Sequence, residues 1–437
     1  RRAKDRLVTA FHALLSRPFA RIFAADAIVR TAYQMGKTPV LPLFAAALGA
    51  SDILLGLIVS VSTLTGILVK PIVGFLSDRH GRHIWLMLAA TLFILMPFGY
   101  LFVSTPSELF ALRLVHGLAT AIFGPVSLAL VAEMAGESAS HYHASGQRDP
   151  SKGRATRMGV FGLARSIGYL LAPVSAAFLL TRMSPQLMFM LTGLIAAIAL
   201  LPLLAFARNG RVTSVRKNGS GERPVSHRPA SFRHLVSHFA ATLAAASRRP
   251  ALWVAGGLEM MVNMAAYAVK AFLPLHILAS VQGGHGLMLA GLFFSMQEGA
   301  HMLMRTPGGM AADRFGRLTV IGLGVLVMAG GLFLLPHLQR DMIILGALAL
   351  GAAQGLIFPA TLAYVADQSG TAMGTGMGLY GAMRNLGKVV GPVAGGVILA
   401  FGSFDDVLVA AASLLLALAM MLAVPAYRQI GTHLLRL

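Results

Sequence analysis

Four side chains in the first long apolar stretch, Asp26, Arg30, Tyr33 and Lys37, fall at i, i+4, i+7 and i+11, which is one stripe on an α-helix. The spacing returns 233 positions later as Glu259, Asn263, Ala266 and Lys270. Glu298, His301 and Arg305, at i, i+3 and i+7, make a third stripe. Carboxylates set among Arg and Lys in apolar surroundings can carry protons, bind a charged solute, or merely neutralise one another. A carboxyl in an apolar cavity holds its proton more tightly, and a neighbouring cation loosens it. Asp26, Glu259 and Glu298 are the candidate proton carriers, with Arg113 and His116 as modulators. The buried bases Arg30, Lys37, Arg113, Arg165, Lys270, Arg384 and Lys388 outnumber those three acids. The bland alternative is a helical ion pair at i, i+4, which applies to Asp26–Arg30 and in kind to the Glu298 stripe. Lys70 and Arg305 each precede a glycine by four residues, which predicts span ends with snorkelling side chains rather than solute contacts.

The elements that must position these groups are membrane helices. The 437 residues are 56% hydrophobic and only 12% charged, with mean hydropathy +0.73, where soluble domains carry roughly twice that charged fraction. Stretches of about the 20 residues a bilayer requires lie near 19–46, 53–76, 83–103, 108–133, 155–181 and 186–207. Six more lie near 251–279, 287–311, 318–336, 342–366, 374–401 and 406–426. The expected organisation is a basic lead at 1–18, a six-helix bundle at 19–207, a basic linker at 208–250, a second six-helix bundle at 251–426, and a tail at 427–437. A short surface helix is expected near 231–247. Outside the spans, Lys and Arg gather in the lead, the linker, the tail and alternate loops, whereas the opposite loops hold only Arg182 and Arg340. Both termini and the linker are therefore expected in the cytoplasm, and a bacterial inner membrane is the expected location. The sequon at Asn218 then faces the wrong side for glycosylation. No cleavable signal-peptide pattern is expected in these residues.

The halves repeat each other. Gly74-Phe75-Leu76-Ser77-Asp78-Arg79-His80-Gly81-Arg82 and Gly309-Met310-Ala311-Ala312-Asp313-Arg314-Phe315-Gly316-Arg317 share the pattern G-x-x-x-D-R-x-G-R. So short and basic a segment between apolar runs predicts a surface loop, because its charges need water or protein partners. Pro125 and Glu133 have counterparts in Pro359 and Asp367, and Gly162 to Gly168 resembles Gly381 to Gly387. A polar stripe inherited by both halves points to one central cavity lined by equivalent helices.

These residues resemble the major facilitator superfamily of secondary transporters, over nearly the whole chain. The two D-R-x-G-R copies resemble its signature between the second and third and the eighth and ninth helices. Arg113-Leu114-Val115-His116-Gly117 resembles the R-x-x-q-G pattern of helix four, with His116 in place of Gln. Gly36 to Pro42, with Gly49 beyond, resembles the first-helix proline motif of twelve-helix drug exporters. Gly387 to Gly396 resembles the antiporter glycine–proline motif, here in the eleventh span rather than the fifth, whose version from Gly168 through Pro173 to Ala177 lacks the full glycine set. The resemblance implies an all-α integral membrane fold of twelve helices in two pseudo-symmetric bundles. It implies alternating access driven by a proton gradient, with no bound cofactor. It also places Asp78 and Asp313 opposite the N-termini of helices eleven and five, where a helix dipole and free amides favour a carboxylate. Arg82 is expected to pair with Glu133, and Arg317 with Asp367. With Gly74, Arg79, Gly81, Gly309, Arg314 and Gly316, these form an expected latch that breaks as the halves rock.

Two functions follow. The first is proton-driven export of small amphiphilic compounds, on the strength of the proline and glycine motifs. The second is uptake or exchange of an organic anion, since surplus buried Arg and Lys favours anionic or zwitterionic cargo. Met260, Met261, Met264, Met296, Met302 and Met304 could form a pliable wall for apolar ligands or serve ordinary packing. The partners expected are a small molecule and the lipid bilayer, with the chain a monomer. The net charge of +20 is read as loop charge of a membrane protein and not as a nucleic-acid surface. The absence of cysteine excludes disulfides and thiolate metal sites. His141-Tyr142-His143 lacks carboxylates or thiols at ligand spacing, so it is read as a solvated loop. Neither a nucleophile–base pair nor a metal cluster argues for an enzyme.

Overall fold

The computed structural model describes residues 17–143, 150–207, 250–281, 283–339, 342–369 and 373–434. The expected 231–247 helix and Asn218 lie outside them. The described residues form twelve long helices and no strand. In the first half these are α1 (Arg17–Met35), α2 (Asp52–His80), α3 (Arg82–Gly99), α4 (Pro106–His143), α5 (Pro150–Leu180) and α6 (Pro185–Ile198). In the second they are α7 (Pro250–Ser280), α8 (Gly283–Phe315), α9 (Arg317–Leu334), α10 (Ile343–Ser369), α11 (Met373–Leu399) and α12 (Phe404–Leu434). Helix α1 continues through a wide turn, Gly36–Val40, into the short helix Leu41–Ala47. Thr38, just before Pro39, is extended there (φ −137°, ψ 120°), as expected for a residue preceding proline. Ends are set by local chemistry: Ser51 caps α2 and Ser184 caps α6, each hydroxyl accepting an amide three residues on.

Three sequence expectations change at helix ends. The D-R-x-G-R segments are not loops. Residues 74–80 and 309–315 are the last turns of α2 and α8, and the break is a single glycine in each, Gly81 (φ 89°) and Gly316 (φ 93°). A positive φ costs glycine little, so one residue is enough to reverse the chain. His141–His143 ends α4 instead of forming a loop, and α12 runs to Leu434 through most of the expected tail. Basic side chains are tolerated in last turns because they complement the carbonyl end of the helix.

Helix association in lipid rests on close packing, and between the two halves it follows two seams. Along α2–α11, Gly56 lies against the backbone of Pro392, so closely that a Cβ there would overlap the Pro392 carbonyl oxygen. Along α5–α8, Gly291 lies against Pro173 and Ala177, and the Val174 amide donates to Ser295 Oγ at 3.2 Å. These contacts sit near the ends of the helices remote from Gly81 and Gly316. Toward the turn-bearing face the α5–α8 seam runs past Gly299–Leu170 to a rung where Arg305 donates to Ser166 Oγ at 3.2 Å. The α2–α11 contact thus lies near one face, and the α5–α8 seam runs from that face toward the other. Leu68, Ile84, Leu201 and Leu303 are exposed on the outside, as suits a hydrocarbon solvent.

Candidate functional site

Between the halves lies a cavity of about 670 Å³. It receives Arg30, Tyr33 and Lys37 from the first stripe, and Glu259, Asn263 and Lys270 from its repeat. Glu298 and His301 enter from α8, and Arg384 and Lys388 from α11. The i, i+4, i+7 periodicity is what turns these residues to one side of otherwise apolar helices. Lys70, Leu128, Gly162 and Arg305 continue the lining toward the turn-bearing face, so the cavity extends to that face and is shut off at the other by the α2–α11 and α5–α8 seams.

The charges are only partly matched. Arg30 Nε donates to Asp26 Oδ2 at 2.8 Å, and Asp26 also accepts from Ser127 Oγ at 3.2 Å. Asp26 is fully buried behind Arg30 and does not reach the cavity. Its role in the fold is to seat that guanidinium. Glu259 accepts from Asn263 Nδ2 at 3.0 Å and lies 3.2 Å from Arg384 Nε, though not in hydrogen-bond alignment, and its second oxygen is buried without a partner. Glu298 reaches His301 Nδ1 at 3.3 Å and Lys270 Nζ at 4.0 Å. Arg305 Nε donates to His301 Nε2 at 3.4 Å, so the imidazole is held between an acceptor and a donor. No carboxylate stands within 4.0 Å of Lys37 or Lys388 among the described residues.

Two rings collect the cations. The ammonium groups of Lys37, Lys270 and Lys388 each lie 5.4 Å from the centre of the Tyr267 ring. The guanidinium groups of Arg305 and Arg384 lie 5.4 and 4.8 Å from that of Phe358. Neither ring was picked out from the sequence. Tyr267 follows Asn263 by four and precedes Lys270 by three, so the stripe itself held the signal.

Other sequence-predicted residues fall elsewhere. Arg113 and His116 do not line the cavity. They are buried behind Tyr33, where Arg113 donates to Ser62 Oγ at 2.6 Å and to Tyr100 OH at 3.4 Å, and His116 Nδ1 lies 3.0 Å from Tyr100 OH. Helix α4 turns that face toward α2 and α3, not toward the second half. Lys70 and Arg305 are cavity residues rather than snorkelling ones, because the cavity reaches their end of α2 and α8. Arg165 lies in α5, and its side chain is outside what is described.

At the turn-bearing face, Arg82 bridges Asp78 (2.9 Å) and Glu133 (3.1 Å). Arg317 likewise bridges Asp313 and Asp367, the latter at 3.3 Å. All of these pairs stay within one half, so they cannot themselves join the halves. The carboxylates of Asp78 and Asp313 are largely exposed and turned to their own bundle's arginine, not to α11 or α5. Arg79 and Arg314 are exposed beside them, and Gly74 and Gly309 fall within the last turns of α2 and α8.

A family model described as Major Facilitator Superfamily matches residues 27–300 and 285–432. The chain is 25% identical over 349 residues to an uncharacterised MFS-type transporter, YuxJ, of Bacillus subtilis, covering 78% of this chain and 80% of that one. It is also 25% identical over 388 residues to a multi-drug resistance efflux pump PmrA homolog of Lactococcus lactis, covering 85% of each. Among solved structures, the nucleoside transporter NupG superposes with a TM-score of 0.72 at 12% identity, over 94% of this chain and 99% of that one. A bacterial homolog of the human lysosomal transporter Spinster, captured inward-facing and unoccupied, gives 0.66 at 15% identity, over 97% and 98%. Both likenesses concern the fold.

Proposed function

Because the chain belongs to the major facilitator superfamily and is therefore a membrane transporter, we propose that it works by alternating access, exporting small amphiphilic organic compounds against a proton gradient. The observation that carries this is the cavity between the halves, lined by equivalent residues of both repeats, reaching one face and shut off at the other. Its volume suits a drug-sized solute. The face bearing Gly81 and Gly316 is taken as cytoplasmic, since the Lys and Arg outside the spans crowd that side. The arrangement is then inward-facing. The similarity to the Lactococcus efflux pump homolog supports export.

Proton coupling is assigned to the cavity acids Glu259 and Glu298. Each is matched to a cation on a helix of the second half, Arg384 for one and Lys270 for the other. Protonating either acid leaves a cation free, which changes what charge the cavity can accept from a solute. Asp26, with no access to the cavity, acts by holding Arg30 in place. In liposomes reconstituted with the protein and holding an acidic interior, an amphiphilic dye should accumulate and leak away once an ionophore collapses the gradient. Undiminished accumulation without the gradient would exclude proton coupling.

A second reading, uptake or exchange of an organic anion, is favoured by the surplus of cations in the cavity. Transport direction separates the two: exchange needs a counter-solute on the far side, and export does not.

A further inference from the structure

We propose that Tyr267 and the three lysines around it form an oxyanion-binding subsite, and that the cargo carries a carboxylate, sulfonate or phosphate group. This rests on the transport reading above and narrows it to anionic amphiphiles.

Lys37 approaches from the turn after α1, Lys270 from one turn further along α7, and Lys388 from α11, so two halves and three elements contribute. Three ammonium groups equidistant from one ring centre are at most twice that distance apart, and like charges gathered in one cavity repel one another. Of the three, only Lys270 has a cavity acid within 4.0 Å, Glu298, and Lys37 and Lys388 have none among the described residues. Glu259 is engaged with Asn263 and Arg384, and Glu298 is shared between His301 and Lys270. What faces all three is the ring, whose negative π-face attracts cations. An ammonium has three donors and no acceptor, so Lys37 and Lys388 present hydrogen-bond donors for which the described side chains offer no carboxylate. A group with two or three anionic oxygens, set among them, would satisfy those donors and remove the repulsion together. The rings of Phe93, Phe123 and Phe358 also line the cavity and give the apolar remainder of such a molecule a surface. The stripe in the sequence placed Lys37 and Lys270 at equivalent positions of the two repeats. Only the approach of α11 adds Lys388 and closes the set.

The test uses naphthalene probes of one size on the purified full chain: 2-naphthoate, 2-naphthalenesulfonate and 2-naphthyl phosphate against 2-naphthylmethylammonium and 2-naphthalenemethanol. Calorimetric titration should show the anions binding at least tenfold more tightly than the ammonium or the alcohol, and the tightest of the three names the headgroup. Lys37→Gln and Lys388→Gln should each weaken the anions tenfold or more. The same changes should leave the melting temperature of the empty protein unchanged or raised, because each removes an unmatched charge from the cavity wall. Lys388→Arg should keep the preference for anions, Tyr267→Phe should stay within threefold of the wild type, and Tyr267→Leu should lose the preference. Equal binding of ammonium and naphthoate, or anion affinity indifferent to both Gln changes, would overturn the subsite. Failure of the transport reading looks different: anions would bind with the stated lysine dependence, yet no proton gradient would move them or the dye across liposomes.

Discussion

Replacing Gly56 by leucine should drive the transporter out of the arrangement seen here. Gly56 touches the Pro392 backbone in the α2–α11 seam, and even a Cβ would overlap the carbonyl oxygen. Backbone on both sides leaves no flexible side chain to give way, so the two halves must part at that face. Overpacking a tight contact costs about 1–3 kcal/mol, and at about 1.4 kcal/mol per tenfold this shifts a two-state equilibrium by roughly 5- to 150-fold. The cost falls only on the state in which the seam is closed, so the population should move toward the state open at that face. The sequence has no cysteine, which permits a single thiol reporter. Leu128 lies on the cavity wall toward the turn-bearing face, and Leu128→Cys puts the reporter there. Its labelling by a membrane-impermeant maleimide from that face should slow in the Gly56→Leu background, by a factor no larger than the shift in the equilibrium. Gly322→Ala, where an added Cβ meets nothing within 4 Å, is the control and should change nothing. If Gly56→Leu lowers the melting temperature but leaves labelling of the introduced thiol unaltered, the strain is absorbed within a bundle, and the seam is not what separates the two states.

Asp26→Asn should lower stability by about 3 kcal/mol, the cost of stranding one partner of a buried pair, and Asp26→Asn combined with Arg30→Gln should recover most of it in thermal unfolding. Asp78→Asn should cost less than about 1 kcal/mol, since the Arg82 pair is at the surface, yet it should slow dye transport if the carboxylate is needed when the turn-bearing face closes; an unchanged transport rate would remove Asp78 from the proposed latch. Ser166→Ala removes the α5–α8 rung to Arg305. In the Leu128→Cys background it should raise maleimide labelling by less than about tenfold, in keeping with one hydrogen bond to a charged group at the edge of a wet cavity.

Much of this architecture is determined by local properties of the sequence. Bilayer thickness and the cost of unpaired backbone in lipid convert twelve apolar stretches into twelve helices, and duplication of D-R-x-G-R fixes two equivalent halves. Helical periodicity alone puts Arg30, Tyr33 and Lys37 on one face and repeats that face as Glu259, Asn263 and Lys270. A span rich in charge stood out as cavity-facing for the same reason: α1, α8 and α11 fall short of a plain hydropathy criterion for a membrane span and deliver Arg30, Glu298, Arg384 and Lys388 to the cavity. Periodicity gives a direction around one helix axis, however, and not the neighbour that stands there. Arg113 belongs to α4, whose polar face turned out to meet Ser62 and Tyr100 instead of the cavity. Lys70 and Arg305 were read by their distance from the helix end, whereas their surroundings depend on which face of the protein is open. The convergence of Lys37 and Lys388 on Tyr267 comes from how the two bundles are tilted against each other. That tilt is set by contacts between residues far apart in the chain, such as Gly56 with Pro392, and no local pattern encodes it.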